Sequence, residues 1–162
     1  MIKNFDELNS KICDCSKSFD AKMVGENGKR AILLCGGTGC LSSNSAEIQE
    51  KFSELVKEHK MEDKVSVNKV GCFGFCSQGP FVKIYPEDTL YRLVTLDDVE
   101  EIFEKDIINH EVVERLLYIE PATKEQVIKQ DDINFYKKQV RVALHGCGQI
   151  NPEDIEEALG FD

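Results

Sequence analysis

The sequence has 162 residues, which is enough for one folded domain with additional flanking segments. Its 30 acidic residues outnumber the 20 basic ones and give a formal net charge of −10, which argues against a nucleic-acid partner. Residues 1–6 lack the apolar segment of a secretory signal, and no apolar run reaches the roughly 18 residues of a membrane span. We therefore expect a cytoplasmic protein without a membrane span.

In chain order, the first predicted element is a helix. Ile2, Phe5, Leu8 and Ile12 are spaced for one helix face, and this helix is predicted to end near Cys13–Cys15. A predicted turn with two glycines follows at residues 25–28.

Two strands, each followed by a loop with two cysteines, come next. Residues 31–34 form a short apolar run typical of a buried strand, and residues 65–70 are predicted to form the second strand. Between them, apolar residues in the range 44–59 recur with the period of a helix. The order of strand, cysteine loop, helix, strand and cysteine loop indicates an α/β fold.

A predicted hairpin and a helix follow the second cysteine loop. Residues 81–85 and 90–94 are rich in β-forming residues and are joined by a turn that begins at Pro86. Thr95 and Asp98 have the spacing of a helix-capping box, which predicts a helix from that point.

Beyond His110 the pattern changes. Residues 120–132 are charged and lack a sustained apolar period, so we expect a linker or an extended arm. Residues 140–144 resemble a strand, and residues 151–154 have the N-cap, proline and early acids of a helix start. The predicted regions are an N-terminal helical extension (1–29), an α/β domain (30–110), a connector (111–134) and the start of a second, incomplete domain (135–162).

The cysteines are the candidate functional residues of the sequence. There are seven of them, and in a reducing compartment an odd number favours metal or redox chemistry over disulfides. Cys35 and Cys40 are separated by four residues, and Cys72 and Cys76 by three. Both pairs follow predicted neighbouring strands, so we expect the four thiolates to converge.

Four thiolates in glycine-rich loops favour an iron–sulfur cluster, whose sulfurs accept hydrogen bonds from backbone N–H groups. The loops contain glycines that would let the backbone approach the sulfurs closely, namely Gly36, Gly37, Gly39, Gly71 and Gly74.

Three alternatives remain open from the residues alone. Four thiolates also suit a closed structural zinc site. The cysteines could instead be unligated, or Cys35 or Cys40 could be the nucleophile of a thioredoxin-like thiol redox enzyme, activated by the helix that follows Cys40.

The cysteine spacing and the strings CGGTGC and GCFGFCSQGPFVKIYP resemble the thioredoxin-like [2Fe–2S] ferredoxins. More closely, they resemble the N-terminal domain of the NADH-binding flavoprotein subunit of NAD(P)-linked, electron-bifurcating [FeFe]-hydrogenases, which is similar to the flavoprotein subunit of respiratory complex I. The segments VERLLY (113–118) and FYKKQVRVALHGCGQINPEDIEEAL (135–159) resemble the connector and the entry into the flavin domain of that subunit.

The resemblance implies a thioredoxin-like [2Fe–2S] ferredoxin fold, a mixed sheet flanked by helices, with a C-terminal extension that begins a truncated flavoprotein domain. It implies that Cys35 and Cys40 hold one iron of a [2Fe–2S] cluster and Cys72 and Cys76 the other. FMN, NAD(P)H and [4Fe–4S] sites are expected only in the downstream part of the parent subunit.

By the same resemblance the chain is an electron-transfer module without a complete catalytic site. Its implied partners are other subunits of a hydrogenase or complex I-like oxidoreductase, including a small [2Fe–2S] subunit and a hydrogenase-type catalytic subunit.

The remaining cysteines and histidines give no site. Cys13, Cys15 and Cys147 are interpreted as small hydrophobic or structural residues. His59, His110 and His145 have no ligand spacing with one another and are interpreted as ordinary.

Overall fold

The computed structural model describes residues 2–25 and 29–161. The helices are α1 (Phe5–Asp20), α2 (Thr38–Leu41), α3 (Ser45–Glu58), α4 (Asp98–Ile102), α5 (Asn134–Lys137) and α6 (Ile155–Phe161). The strands are β1 (Arg30–Cys35), β2 (Val65–Val70), β3 (Val82–Tyr85), β4 (Thr89–Tyr91), β5 (Tyr118–Ile119) and β6 (Gln126–Val127). Among the described residues no helix is long and apolar enough to cross a membrane.

The main sheet has four strands in the order β2-β1-β3-β4. β1 is parallel to β2 and antiparallel to β3, and β3 is antiparallel to β4, so the sheet is mixed as predicted. A separate two-stranded ladder joins β5 and β6.

Successive side chains of β1 enter two different cores because a strand alternates its faces. Ile32 and Leu34 pack in one core cluster with α3, through residues such as Phe52. Leu33 and Cys35 belong to the other cluster, which is rich in aromatic side chains. All of β1 is buried, so its continuous apolar run matches a strand that is covered on both faces.

α1 is longer than predicted. The predicted end near Cys13–Cys15 is wrong, because the helix continues to Asp20 and then as π-helical backbone over Ala21–Gly25. Tertiary contacts explain the extension: Cys15 is buried, and the Phe19 ring meets the Phe161 ring edge-on with centroids 5.6 Å apart. Of the predicted turn at residues 25–28, Gly25 ends the helix and the other three lie outside the described residues.

The predicted helix after Thr95 forms as α4 and continues as π-helical backbone over Phe103–Ile108. The Asp98 carboxylate accepts hydrogen bonds from the Thr95 backbone N–H (2.8 Å) and from the Thr95 hydroxyl (2.7 Å). This is the return bond of a capping box, and it fixes the first turn.

The segment after His110 packs against the core of the main sheet. Val113, Leu116 and Leu117 are buried in the same cluster as Ile32. The backbone N–H of Leu90 donates to the Ile128 carbonyl (2.9 Å), so the arm runs beside β4. The domain boundaries given above stay a prediction.

Two predictions near the C-terminus are wrong. Residues 140–144 form no strand, and their apolar side chains Val140, Val142 and Leu144 are exposed, so tertiary packing does not support an extended conformation here. The last helix begins at Ile155 rather than at Pro152. Asn151 Oδ1 accepts from the Glu153 N–H at 3.1 Å, which forms a turn first, and Asp154 Oδ1 then accepts from the Glu156 N–H at 2.9 Å.

A buried polar network closes the end of β1 that lies away from the cysteines. The Arg30 guanidinium pairs with Asp106, and both side chains are buried. The Tyr91 hydroxyl donates to Asp106 and accepts from the Val113 N–H at 3.1 Å. Hydrogen bonding of this kind is what allows a charged pair to be buried.

Candidate functional site

The two cysteine loops leave the sheet side by side. β1 ends at Cys35 and β2 at Val70, and these two residues are register partners in the parallel pair. The Gly36 N–H donates to the Val70 carbonyl at 2.8 Å, which ties the first loop to the end of β2. The carboxyl ends of two parallel strands therefore bring both loops to one edge.

The structure brings together the four cysteines that the sequence indicates. The Cys72 and Cys76 sulfurs are 3.6 Å apart. A methyl group added at Gly37 would lie 3.5 Å from the Cys35 sulfur and 3.3 Å from the Cys72 sulfur. Gly79 is even closer to Cys40, since a methyl group there would lie 2.6 Å from the Cys40 sulfur.

The thiols approach one another in pairs. Among the described residues, no group of three or more His, Cys, Asp or Glu side chains is placed to hold a single metal ion. The four cysteines also differ in their exposure to solvent. Cys35 and Cys40 are buried, Cys72 is half-buried and Cys76 is exposed. One side of the site therefore faces the core and the other faces solvent.

The thiols perturb one another's pKa values. The hydrogen bond from Cys40 lowers the pKa of Cys35 to about 6. Burial opposes this shift, and the backbone N–H groups of Gly37 and Phe73 add to it. The same hydrogen bond, together with burial, raises the pKa of Cys40. Burial raises the pKa of Cys72, although the Gly74 N–H donates to its sulfur at 3.2 Å. One thiolate forms readily, whereas further ones need a cation beside them.

Two of the five loop glycines direct backbone N–H groups at cysteine sulfurs. Gly37 and Gly74 direct backbone N–H groups at the Cys35 and Cys72 sulfurs, and Gly74 uses a left-handed φ of 83° to do so. Gly36 and Gly71 instead donate to the carbonyls of Val70 and Ile150. These two glycines attach the loops to their surroundings rather than to the sulfurs.

The other cysteines lie elsewhere. Cys15 is buried where α1 meets α6, in agreement with its interpretation as a small hydrophobic residue. Cys13 is exposed, so the interpretation as a packed hydrophobic residue is wrong for Cys13. Cys147 is half-buried in the segment before α6.

An aromatic cover beside the thiols was missed in the sequence. Phe73 and Phe81 belong to the same buried cluster as Cys35 and Cys40. The Phe75 ring stacks on the Phe135 ring with centroids 4.3 Å apart, and Tyr136 packs next to them. The aromatic residues of the FGF string inside the second cysteine loop were the available signal, but their partners come from a distant segment.

Comparisons with known proteins agree with this geometry. The sequence model of the thioredoxin-like [2Fe-2S] ferredoxins matches residues 17–106. A 2Fe-2S ferredoxin of Clostridium pasteurianum is 54% identical over 77 residues, which is 48% of this chain and 76% of that protein. A ferredoxin-type sequence of Priestia megaterium is 25% identical over 134 residues, 83% of this chain and 87% of that protein.

Solved structures give the same fold. The thioredoxin-like [2Fe-2S] ferredoxin of Aquifex aeolicus superposes with a TM-score of 0.51 and 29% identity, covering 54% of this chain and 88% of that chain. The predicted fold is confirmed for the part of the chain that superposes. The chain therefore belongs to the thioredoxin-like [2Fe–2S] ferredoxins, a family of electron carriers that hold a [2Fe–2S] cluster.

Proposed function

We propose that Cys35, Cys40, Cys72 and Cys76 hold the [2Fe–2S] cluster of this electron carrier, one pair to each iron. The observation that carries the proposal is the convergence of two thiol pairs at the adjacent ends of β1 and β2. The donor set also fits, since thiolates are the usual ligands of such clusters. When bound, the cluster accepts and releases one electron at a time.

The surrounding residues have separate roles in this proposal. The backbone N–H groups of Gly37 and Gly74 stabilise negative charge on the ligand sulfurs. Phe73 and Phe81 exclude water from the buried side, where Cys35 and Cys40 lie. Exposed Cys76 marks the side from which electrons enter and leave.

We further propose that the carrier works within an NAD(P)H-linked oxidoreductase, either a hydrogenase or a complex I-like flavoprotein assembly. The support is the segment at residues 135–159, which lies beyond the ferredoxin match at residues 17–106 and has the strings quoted above. The proposed partners are the other subunits of that assembly. None of the seven cysteines, all of which are among the described residues, is in a disulfide, and we propose a reducing, cytoplasmic compartment.

The ligand proposal is tested by single Cys→Ser variants of the anaerobically purified protein. Variants of Cys35, Cys40, Cys72 and Cys76 should each lose the cluster or change its visible and EPR spectra, because serine removes a thiolate ligand. Variants of Cys13, Cys15 and Cys147 are the matched controls and should keep two irons per chain. A normal cluster in the Cys72→Ser protein would refute the ligand set.

Two measurements on the wild-type protein test the alternative functions, a structural zinc site and a thiol redox enzyme. Zinc without acid-labile sulfide would make the site a structural zinc centre. Thiol–disulfide exchange by colourless protein, abolished in Cys35→Ser, would make it a thiol redox enzyme.

A further inference from the structure

The segment that contains α5 covers the cysteine loops although it lies outside the ferredoxin match at residues 17–106. Phe135 stacks on Phe75, which lies next to Cys76 in the second loop. Tyr136 is buried in the same cluster as Cys35 and Cys40. This segment therefore forms one wall of the site.

The Tyr136 hydroxyl on this wall has an unused hydrogen. It is buried, and in residues 2–25 and 29–161 no acceptor lies within hydrogen-bonding distance of it. The nearby Arg141 does not change this, because a guanidinium carries only donors and cannot accept the hydroxyl hydrogen. A buried hydroxyl without an acceptor is rare in native proteins, and it indicates a group that the protein chain alone does not supply.

The position of Tyr136 identifies the chemistry of that acceptor. Tyr136 lies in the same buried cluster as Cys35 and Cys40, beside the proposed ligand site. The group that this site would hold has anionic sulfurs, which accept hydrogen bonds. A phenol hydroxyl is an ordinary donor to such an acceptor.

Arg141 places a cation at the same wall. Its Nη2 donates to the Phe73 carbonyl at 2.8 Å, and its guanidinium carbon lies 4.8 Å from the centroid of the Tyr136 ring. A methyl group added at Gly74 would lie 3.2 Å from that Nη2 atom. The guanidinium is thus held against the loop that connects Cys72 with Cys76.

We propose that Tyr136 and Arg141 raise the reduction potential of the cluster: Tyr136 by donating its hydroxyl hydrogen to a cluster sulfur, and Arg141 by holding a positive charge beside the Cys72–Cys76 loop. The proposal rests on the ligand set given above. Its physical basis is that reduction adds one negative charge, which a donor and a cation both stabilise, and that hydrogen bonds and net charge set the potentials of such clusters.

The test is a potentiometric titration of the full chain with its cluster, followed by EPR. Arg141→Gln should lower the equilibrium constant for reduction about tenfold, which for one electron is a fall of about 59 mV. Tyr136→Phe should also lower the potential, because phenylalanine keeps the ring and removes only the hydroxyl group.

Two further variants separate electrostatics from packing. Arg141→Lys keeps the positive charge and should restore most of the lost potential. Lys138→Gln removes an exposed cation from the same segment and should leave the potential unchanged. Iron and sulfide are measured in every variant, and two of each per chain show that the ligand set is intact.

Different results would overturn the two proposals. Wild-type protein that contains no iron and no sulfide after anaerobic purification would contradict the ligand set. Intact clusters with the wild-type potential in both Tyr136→Phe and Arg141→Gln would refute the tuning role. Equal falls in Arg141→Gln and Arg141→Lys would also refute it, because they would show a packing effect instead of a charge effect.

Discussion

At the scale of single residues, the site depends on small residues that leave room for four sulfurs. Gly37 lies against Cys35 and Cys72, and Gly79 lies against Cys40. Side chains at these positions would occupy the space of the ligands themselves. The cysteine spacing and the predicted strands together indicated which four thiols meet, because both pairs follow strands whose ends are adjacent.

The close contact at Gly79 predicts a steric effect on the site. A methyl group there would lie 2.6 Å from the Cys40 sulfur, so Gly79→Ala must displace that thiol. We expect a loss of about 1–3 kcal/mol in the free energy of unfolding, as for other overpacked cores, and a lower iron content. Denaturant unfolding and iron analysis measure both effects.

Gly39→Ala is the matched control for this substitution. Its added methyl group would lie 3.9 Å from the Cys76 sulfur, an ordinary van der Waals distance, and Gly39 is in α2, where alanine is favourable. Iron content should therefore stay at the wild-type value. A full cluster in Gly79→Ala would show that the first loop is more adaptable than the structure indicates.

The other residue-scale features could not be predicted from the sequence. The roles of Gly36 and Gly71 depend on the carbonyls of Val70 and Ile150, and Ile150 is far away in the chain. Tyr136 and Arg141 reach the site only because the chain returns to it. Local patterns identify the ligands, but they carry no information about which distant segment covers them.

At the scale of elements, prediction succeeded where a strong local pattern agreed with burial. β2 has the predicted bounds, and α3 matches its apolar periodicity. β4 is shorter than the predicted strand because Leu93 takes a left-handed φ of 51°, which ends the extended run. α1 is longer than predicted because contacts with α6 support it beyond Cys15.

The hydrogen bonds to Asp98 at the start of α4 should make the stability of the folded protein depend on pH. Although burial opposes it, hydrogen bonds from the Thr95 N–H and hydroxyl and from Arg115 lower the pKa of Asp98. Asp98→Asn should cost about 1 kcal/mol of unfolding free energy at pH 7, as for other capping residues. The stabilisation is complete above the ordinary Asp pKa of about 3.9 and is lost as the pH falls through the lower value of the folded state.

Urea unfolding at several pH values measures this effect. The difference between wild type and Asp98→Asn should be constant above about pH 5 and should shrink below about pH 4. Asp97→Asn is the control, since Asp97 makes no side-chain capping bond and should show little difference at any pH. A difference that does not depend on pH would contradict the ionic role of Asp98.

At the scale of the whole molecule, the two ends of the chain meet. α1 and α6 are in contact, and the Gly160 backbone lies against the Cys15 carbonyl group. The ion pair Lys11–Glu156 joins the same two helices, and the ion pair Lys22–Glu157 joins the π-helical continuation of α1 to α6. The sequence could not predict this contact, because neither helix carries a motif that identifies its partner.

The helix contact predicts a strong effect of a single methyl group. In Gly160→Ala the new methyl would lie 2.6 Å from the Cys15 carbonyl carbon, so α6 must move away from α1. We expect a loss of about 1–3 kcal/mol in unfolding free energy and faster amide exchange in α1.

Glu156→Ala is the control for the helix contact, because it removes only an exposed ion pair, which contributes little to stability. Wild-type amide exchange in Gly160→Ala would show that α1 and α6 are not packed as described.

The measurement that tests the central claim most directly is the iron, zinc and acid-labile sulfide content of anaerobically purified protein, with an EPR spectrum before and after dithionite reduction. The account predicts two irons and two sulfides per chain, with a signal that appears only on reduction. Zinc without sulfide, or protein without metal, would contradict the cluster ligation by Cys35, Cys40, Cys72 and Cys76.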